Sequence, residues 1–89
     1  MVIEYYRHGP EPVYRRAAAH GRMLPDGLRY VDSWVVDSDA LDRCFQLMQT
    51  DDPELLDTWV ACWSDLVEFD ITPVITSSEA AARVREQAP

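Results

Sequence analysis

Residues 51–72 read DDPELLDTWVACWSDLVEFDIT, a stretch that combines a helix start, an amphipathic helix and a strand. Asp52 is a residue type that caps helices, and Pro53 suits the first helical position because no amide donor is needed there. The apolar residues that follow recur at helical spacing, namely Leu55, Leu56, Trp59, Val60 and Trp63. From Val67 onward apolar and polar residues alternate, which predicts a strand with one buried face.

The predicted last strand runs from Val67 to Thr76 and contains Pro73. Because proline has no amide hydrogen to donate to a neighbouring strand, this strand is expected at an edge of the sheet. After it, residues 77–79 read SSE, a sequence that can cap a short terminal helix.

Upstream of residue 51 the chain predicts three more strands and one more helix. Residues 28–36 and 43–50 are rich in β-branched and aromatic residues and are separated by a polar break, so they are predicted to form a hairpin. Residues 1–7 predict a further strand of the same character. Between residues 1–7 and the hairpin, a helix that begins at Glu11 is predicted. Residues on its expected inner face are spaced four, three and four apart, namely Val13, Ala17, His20 and Leu24.

The predicted order is β-α-β-β-α-β with a C-terminal helix, which is an α+β fold of ferredoxin-like topology. Right-handed crossovers place the first and third strands at the centre of the sheet and the other two at its edges. We expect a ferredoxin-like domain over residues 1–76, with residues 77–89 as a C-terminal helix or tail. A domain of 89 residues buries too little surface to be robust as a monomer, which favours a second subunit.

Alternation along the predicted strands assigns their side chains to two faces of the sheet. The face expected beneath the helices is apolar and comprises Ile3, Tyr5, Val31, Val35, Phe45, Leu47, Phe69 and Ile71. The opposite face is mixed and comprises Glu4, Tyr6, His8, Tyr30, Asp32, Trp34, Cys44, Gln46, Met48, Asp70 and Thr72. Because the mixed face carries many large aromatics, a homodimer that packs these faces together is expected to bury Trp34, Tyr30 and Met48.

Charge and composition argue against several classes of partner. The formal net charge is −8, and residues 31–70 hold eleven acidic residues against Arg43 alone. Such a field repels phosphates, so no nucleic-acid partner is expected. No apolar run approaches the roughly 18 residues of a membrane span, and the N-terminus lacks the order of a signal peptide, so a cytoplasmic protein without membrane contact is expected.

The cysteines and histidines predict no metal site. The sequence has no CxxC motif and no Cys/His cluster at zinc spacing, so neither a metal nor another cofactor is expected. Cys44 and Cys62 are expected to be small buried hydrophobic residues without a disulfide.

Three segments resemble a family of small bacterial proteins known as a domain of unknown function. They are PDGLRYVDSW at 25–34, RCFQLMQTDDPELL at 43–56 and WVACWSDLVEFDITPVITSSEA at 59–80. That family is similar in turn to the dimeric α/β-barrel superfamily, in which two ferredoxin-like sheets face each other in a closed barrel. The resemblance implies a homodimer, and it transfers no catalytic residue because the superfamily supports many unrelated reactions.

Four residues are candidates for a ligand-binding site between the sheet and the two helices. Trp59 and Trp63 lie one turn apart and could line such a pocket or simply fill the core. His20 could serve as an axial haem ligand or a general base, or be satisfied by a hydrogen bond near a helix C-terminus. His8 could lie at the pocket entrance or be solvated. Ala17 and Ala18 leave space that larger residues would fill.

A second candidate group consists of carboxylates. Glu4, Asp32 and Asp70 could form a cluster with raised pKa values suited to acid–base chemistry, or belong to a network across a subunit interface. A pocket inside the barrel, formed by Tyr6, Asp32 and Trp34, is the alternative location for a ligand.

Two functions from different classes remain open on the sequence. The preferred one is a small dimeric binding or accessory module for a small apolar or aromatic molecule. The alternative is a cofactor-independent monooxygenase or isomerase-like enzyme that acts on an aromatic or lactone-like substrate. Histidines within the pocket would favour the enzyme, and a core filled by Trp59 and Trp63 would favour the module.

Overall fold

The computed structural model describes residues 1–88 and contains one four-stranded sheet and three helices. The elements in chain order are β1 Val2–Tyr6, α1 Pro10–His20, β2 Arg29–Val35, β3 Arg43–Gln49, α2 Glu54–Ala61, β4 Val67–Ile71 and α3 Ser77–Gln87. This order confirms the predicted α+β fold of ferredoxin-like type with a helix after β4. Residue 89, the last of the predicted segment 77–89, lies outside the described residues.

The strands are ordered β2-β3-β1-β4, and every neighbouring pair is antiparallel. The two central strands are therefore β1 and β3, as the crossover rule predicts. A bulge in β2 shifts its register against β3 between Tyr30 and Asp32. The bulge allows both the start and the end of this edge strand to remain paired with β3.

Strand β4 lies at an edge, but it ends at Ile71, earlier than predicted. Thr72 still donates its amide to the carbonyl oxygen of Met1 at 2.9 Å, and the Met1 amino group donates to the Thr72 carbonyl at 2.7 Å. Pro73 follows directly and has no amide hydrogen to continue the pairing. The prediction that Pro73 lies inside the strand is wrong, because the ladder stops just before it.

The ends of α1 are set by two glycines with positive φ. Gly9 has a φ of 78° and precedes Pro10, whose ring fits the first turn of a helix. Gly21 has a φ of 67°, and its amide donates to the Ala17 carbonyl at 2.7 Å. A left-handed residue at this position ends the helix and directs the chain away from its axis.

The core lies between one face of the sheet and helices α1 and α2. Its buried apolar residues are Val2, Val13, Leu28, Trp59, Trp63 and Val67. The ring of Trp59 packs edge-on against Phe69 of β4, with 5.3 Å between the ring centroids. Two indoles therefore occupy much of the volume between the layers, which is consistent with their predicted role in core packing.

The two sheet faces are interchanged relative to the prediction in the central strands. Val2 and Glu4 are buried beneath the helices, and they pair with Gln46 and Cys44, which are buried on the same side. The residues that alternate with them form the outer face, which we call the open face: Ile3, Tyr5, Asp32, Trp34, Arg43, Phe45, Leu47, Glu68 and Asp70. Both faces of these strands carry large side chains, so alternation alone could not tell which face the helices cover.

This interchange also corrects the expected dimer contacts. Tyr30 pairs with Met48 on the helix-covered side, and Met48 packs against the core. Trp34 pairs with Phe45 on the open face and is 51% exposed. Of the three residues expected to be buried together by sheet packing, only Trp34 lies on the face that is available for it.

Helix α3 is capped one residue earlier than predicted. The hydroxyl of Thr76 accepts the amide of Glu79 at 3.0 Å, so Thr76 is the N-cap. No residue of α3 is buried, so this helix adds nothing to the core. Within residues 1–88, no helix combines the length and the apolar content needed to cross a membrane.

Candidate functional site

A cavity of about 490 Å³ lies between the sheet and the two helices. We call it the helix–sheet cavity. Its floor is formed by sheet residues Glu4, Tyr6, Cys44 and Gln46, and its walls include Val13, Ala17, Ala18, Trp59 and Trp63. Small side chains on α1 leave this space unfilled, as the sequence suggested for Ala17 and Ala18. The cavity therefore has largely apolar walls above a polar floor.

The floor contains the two buried polar residues of the described chain, Glu4 and Gln46. The amide nitrogen of Gln46 donates to Glu4 Oε1 at 3.0 Å. The amide oxygen of the same side chain accepts a hydrogen bond from Arg22 Nε at 3.2 Å. Gln46 thus fixes the orientation of the carboxyl group and links it to the guanidinium of Arg22.

Burial governs the protonation of the floor residues. It raises the pKa of Glu4 above its ordinary value, and hydrogen bonds from Cys44 and Gln46 and the charge of Arg22 oppose that rise. Burial also raises the pKa of Cys44 to about 11 and the pKa of Tyr6 above its ordinary value. At neutral pH the thiol and the phenol are therefore protonated hydrogen-bond donors, and Glu4 is the ionisable acid of the cavity.

Trp59 and Trp63 line the cavity and share one hydrogen-bond acceptor. Both indole nitrogens donate to the main-chain carbonyl oxygen of Arg22, each at 3.0 Å. Their exposed fractions are 2% and 5%, so the rings also belong to the core. With both N–H groups occupied, the indoles offer apolar surface to a ligand and hold the connection between α1 and β2 in place.

Arg22 is a site residue that the sequence analysis missed. It lies in the connection after Gly21, and its guanidinium stacks on the Tyr30 ring at 3.6 Å from the centroid. No sequence pattern marks it, because the direction of a loop side chain depends on the elements that pack around the loop. The one local feature is that Arg22 follows Gly21, which ends α1, and this indicates a loop residue but not a site residue.

The two candidate histidines lie outside this site. His20 is the last residue of α1 and is exposed, and His8 is exposed in the segment between β1 and α1. Neither lines the helix–sheet cavity. The structure thus brings together Trp59 and Trp63 from the predicted set and leaves His8 and His20 in solvent.

The candidate cluster of three carboxylates does not form. Glu4 pairs with Phe69 beneath the helices, whereas Asp70 pairs with Ile3 on the open face. Asp32 is likewise exposed on that face. Adjacent strand residues point to opposite faces, so these three carboxylates cannot converge. The same reasoning separates Tyr6 from Asp32 and Trp34, which were the alternative pocket residues.

A second cavity, of about 530 Å³, lies at the other end of the sheet. Its lining includes Val2, Met48, Leu56 and Ile71, and neither of the buried polar residues contributes to it. Convergent polar groups within apolar walls are what distinguish ligand sites, which selects the helix–sheet cavity as the candidate. In residues 1–88, no group of three or more His, Cys, Asp or Glu residues is arranged to hold a metal ion.

Comparison with known proteins gives a family but no activity. No curated protein matches the chain, and no solved structure matches it either. The model of one protein family, described as a domain of unknown function (DUF3303), matches residues 1–88. Because this match includes all of the elements and the cavity described above, the chain belongs to the DUF3303 family of domains of unknown function.

Proposed function

We propose that the helix–sheet cavity binds a small molecule with a flat, largely apolar body. Its volume of about 490 Å³ falls within the range of roughly 300 to 1,000 Å³ that is usual for small-molecule sites. The two indoles and the aliphatic residues of α1 supply apolar walls, and the floor supplies a few fixed polar groups. These features match what a ligand with one polar end requires.

The observation that carries this proposal is the environment of Glu4. Its exposed fraction is 6%, and burying a carboxyl group costs free energy unless hydrogen bonds compensate for the lost water. The group is oriented by Gln46 and faces a cavity instead of packed side chains. An apolar residue would stabilise the fold better at this position, so a polar partner in the cavity accounts for the carboxyl group.

Filling the cavity tests the proposal without removing the indoles. We expect Ala17→Leu to abolish binding of small aromatic probes, measured by calorimetry, because the larger side chain occupies the space above the floor. Ala19→Leu is the matched control, since Ala19 is exposed on the same helix and does not line the cavity. Equal binding by both variants and the unmodified protein would place the ligand site elsewhere.

A second candidate function is a cofactor-independent isomerase, and Glu4 is the observation that favours it. A buried carboxyl group with a raised pKa can remove a proton from carbon and return it to a neighbouring atom of the same substrate. The protonated Tyr6 beside it would donate to the developing oxyanion. In this case Glu4→Gln would retain binding and lose turnover, whereas a binding module would show no turnover to lose.

We further propose that the protein is a homodimer formed through the open face, as in a dimeric α/β barrel. This face carries Trp34 and Tyr5, which are 51% and 40% exposed, together with half-buried Ile3, Phe45 and Leu47. An apolar patch of this kind on a small protein favours a partner surface. The two free cysteines are consistent with the reducing cytoplasm as the location of this dimer.

A further inference from the structure

We infer that the ligand of the helix–sheet cavity carries a carboxylate group and that the guanidinium of Arg22 binds it. This inference rests on the proposed function and adds the chemical class of the ligand. Three features of Arg22 support it. They are the contacts that position its side chain, the absence of a direct ion pair within residues 1–88, and its place as the one basic residue in the cavity lining.

Arg22 is an exposed residue that is held by contacts at several points. Its carbonyl oxygen accepts hydrogen bonds from both indoles, which fixes the main chain. Its Nε donates to Gln46, and its guanidinium carbon lies over the ring of Tyr30. Tyr30 is itself fixed by a 2.7 Å hydrogen bond between its hydroxyl and Ser33 Oγ. A flexible side chain has thus been ordered before any ligand binds, which lowers the entropic cost of binding.

The guanidinium of this ordered side chain forms no direct ion pair within residues 1–88, and Gln46 separates it from the carboxyl group of Glu4. Each ion pair of the described chain involves another arginine, Arg15 with Glu11 and Arg16 with Asp65. The side-chain partners of Arg22 are a neutral amide and an aromatic ring. The sequence has 16 acidic residues and 8 basic ones, so carboxylates are not scarce. An arginine that is fixed by neutral groups remains able to pair with an anion from outside.

The geometry of the guanidinium selects a carboxylate. With Nε bonded to Gln46, the four N–H donors of the terminal nitrogens remain, and such donors match the two oxygens of a carboxylate. Arg22 is the one basic residue in the lining of the cavity, so a single negative charge is matched better than a phosphate dianion. Gln46 separates this position from Glu4, whose burial favours its uncharged form.

The test compares two probes of the same shape by calorimetric titration, the charged 3-phenylpropionate and the neutral 3-phenylpropionamide. We expect the unmodified protein to bind the carboxylate at least tenfold more tightly than the amide. Arg22→Gln should remove this preference, and Arg22→Lys should keep part of it, because lysine retains the charge without the planar fork. Both variants retain the main-chain carbonyl that accepts the two indole hydrogen bonds. Arg15→Gln is the control, since Arg15 is exposed on α1 and outside the cavity.

The outcomes separate this inference from the proposed function. If both probes bind with equal affinity and Ala17→Leu abolishes both, the cavity binds ligands but the carboxylate inference is overturned. A preference that Arg15→Gln removes as fully as Arg22→Gln would also overturn it. If neither probe binds at millimolar concentration, the proposed function is overturned together with the inference.

Discussion

Glu4 shows how one residue can be unfavourable for the fold and informative about function. It occupies a central strand, where an apolar side chain would extend the core, and its carboxyl group is instead buried with Gln46. Burial raises its pKa above the ordinary value of 4.5. The folded protein therefore holds this proton to a higher pH than the unfolded chain does.

The pH dependence of stability tests this assignment. The contribution of Glu4 to the free energy of unfolding is largest at pH values below the pKa of Glu4 in the unfolded chain. This contribution falls as the pH rises through the higher pKa of Glu4 in the folded protein. In Glu4→Gln the group no longer titrates, so the variant should gain stability relative to the unmodified protein as the pH rises above the unfolded pKa of Glu4. Urea unfolding at several pH values measures the difference. If the free energies of unfolding of Glu4→Gln and the unmodified protein differ by the same amount at every pH, the raised pKa of Glu4 is contradicted.

Among the elements, α1 forms one wall of the cavity although Val13 is its one buried residue. Arg16 connects it to the turn that follows α2. Its terminal nitrogens donate to both carboxylate oxygens of Asp65 at 2.8 and 2.6 Å, and one of them also donates to the Cys62 carbonyl at 2.9 Å. The guanidinium lies 5.5 Å from the ring centroid of Trp63. A single side chain thus links the two helical segments that flank the cavity.

The pKa of Asp65 reports on this link. The hydrogen bonds from Arg16 lower the pKa of Asp65 to about 2, so the stabilising contribution of the pair is present above the unfolded pKa and is lost as the pH falls through about 2. In Arg16→Gln, we expect the Asp65 carboxyl resonance to titrate between about pH 3 and about pH 5. In the unmodified protein and in Arg15→Gln it should not titrate in that interval, because Arg15 pairs with Glu11 within α1. If Asp65 titrates in that interval in all three proteins, Arg16 does not lower the pKa of Asp65.

The molecule contains one sheet that is covered on one side by helices α1 and α2. Its principal extents are 52 × 32 × 17 Å, so it is elongated and thin for 89 residues. The open face leaves Trp34 and Tyr5 largely in solvent. A thin, one-sided layer of this kind gains stability when a second copy covers the exposed apolar face.

Light scattering tests the oligomeric state. We expect a mass of about twice the 10.2 kDa of one chain, because two open faces bury their aromatic residues together. Trp34→Glu should shift the protein toward the monomer by placing a charge in that interface. Ala19→Glu, an exposed change on α1 on the other side of the molecule, should leave the mass unchanged. A stable monomer of the unmodified chain at micromolar concentration would contradict the dimer.

The sequence by itself determined the order of strands and helices, the central place of β1 and β3, and the position of the edge strands. These features depend on local patterns such as the cap and apolar spacing of α2, and on the handedness of crossovers. It also indicated that Trp59 and Trp63 lie together between the layers, because residues one helical turn apart share a face.

Only the tertiary structure decided which sheet face the helices cover and which polar groups meet there. The alternation in β1 places Ile3 and Tyr5 on one face and Val2, Glu4 and Tyr6 on the other, and both sets are large enough to form a core. The small side chains of Ala17 and Ala18 on α1 leave space above Glu4 and Gln46, so the helix-covered face accommodates a polar floor. Arg22 joins that floor because its carbonyl is held by residues 37 and 41 positions later in the chain, an association that no local pattern encodes.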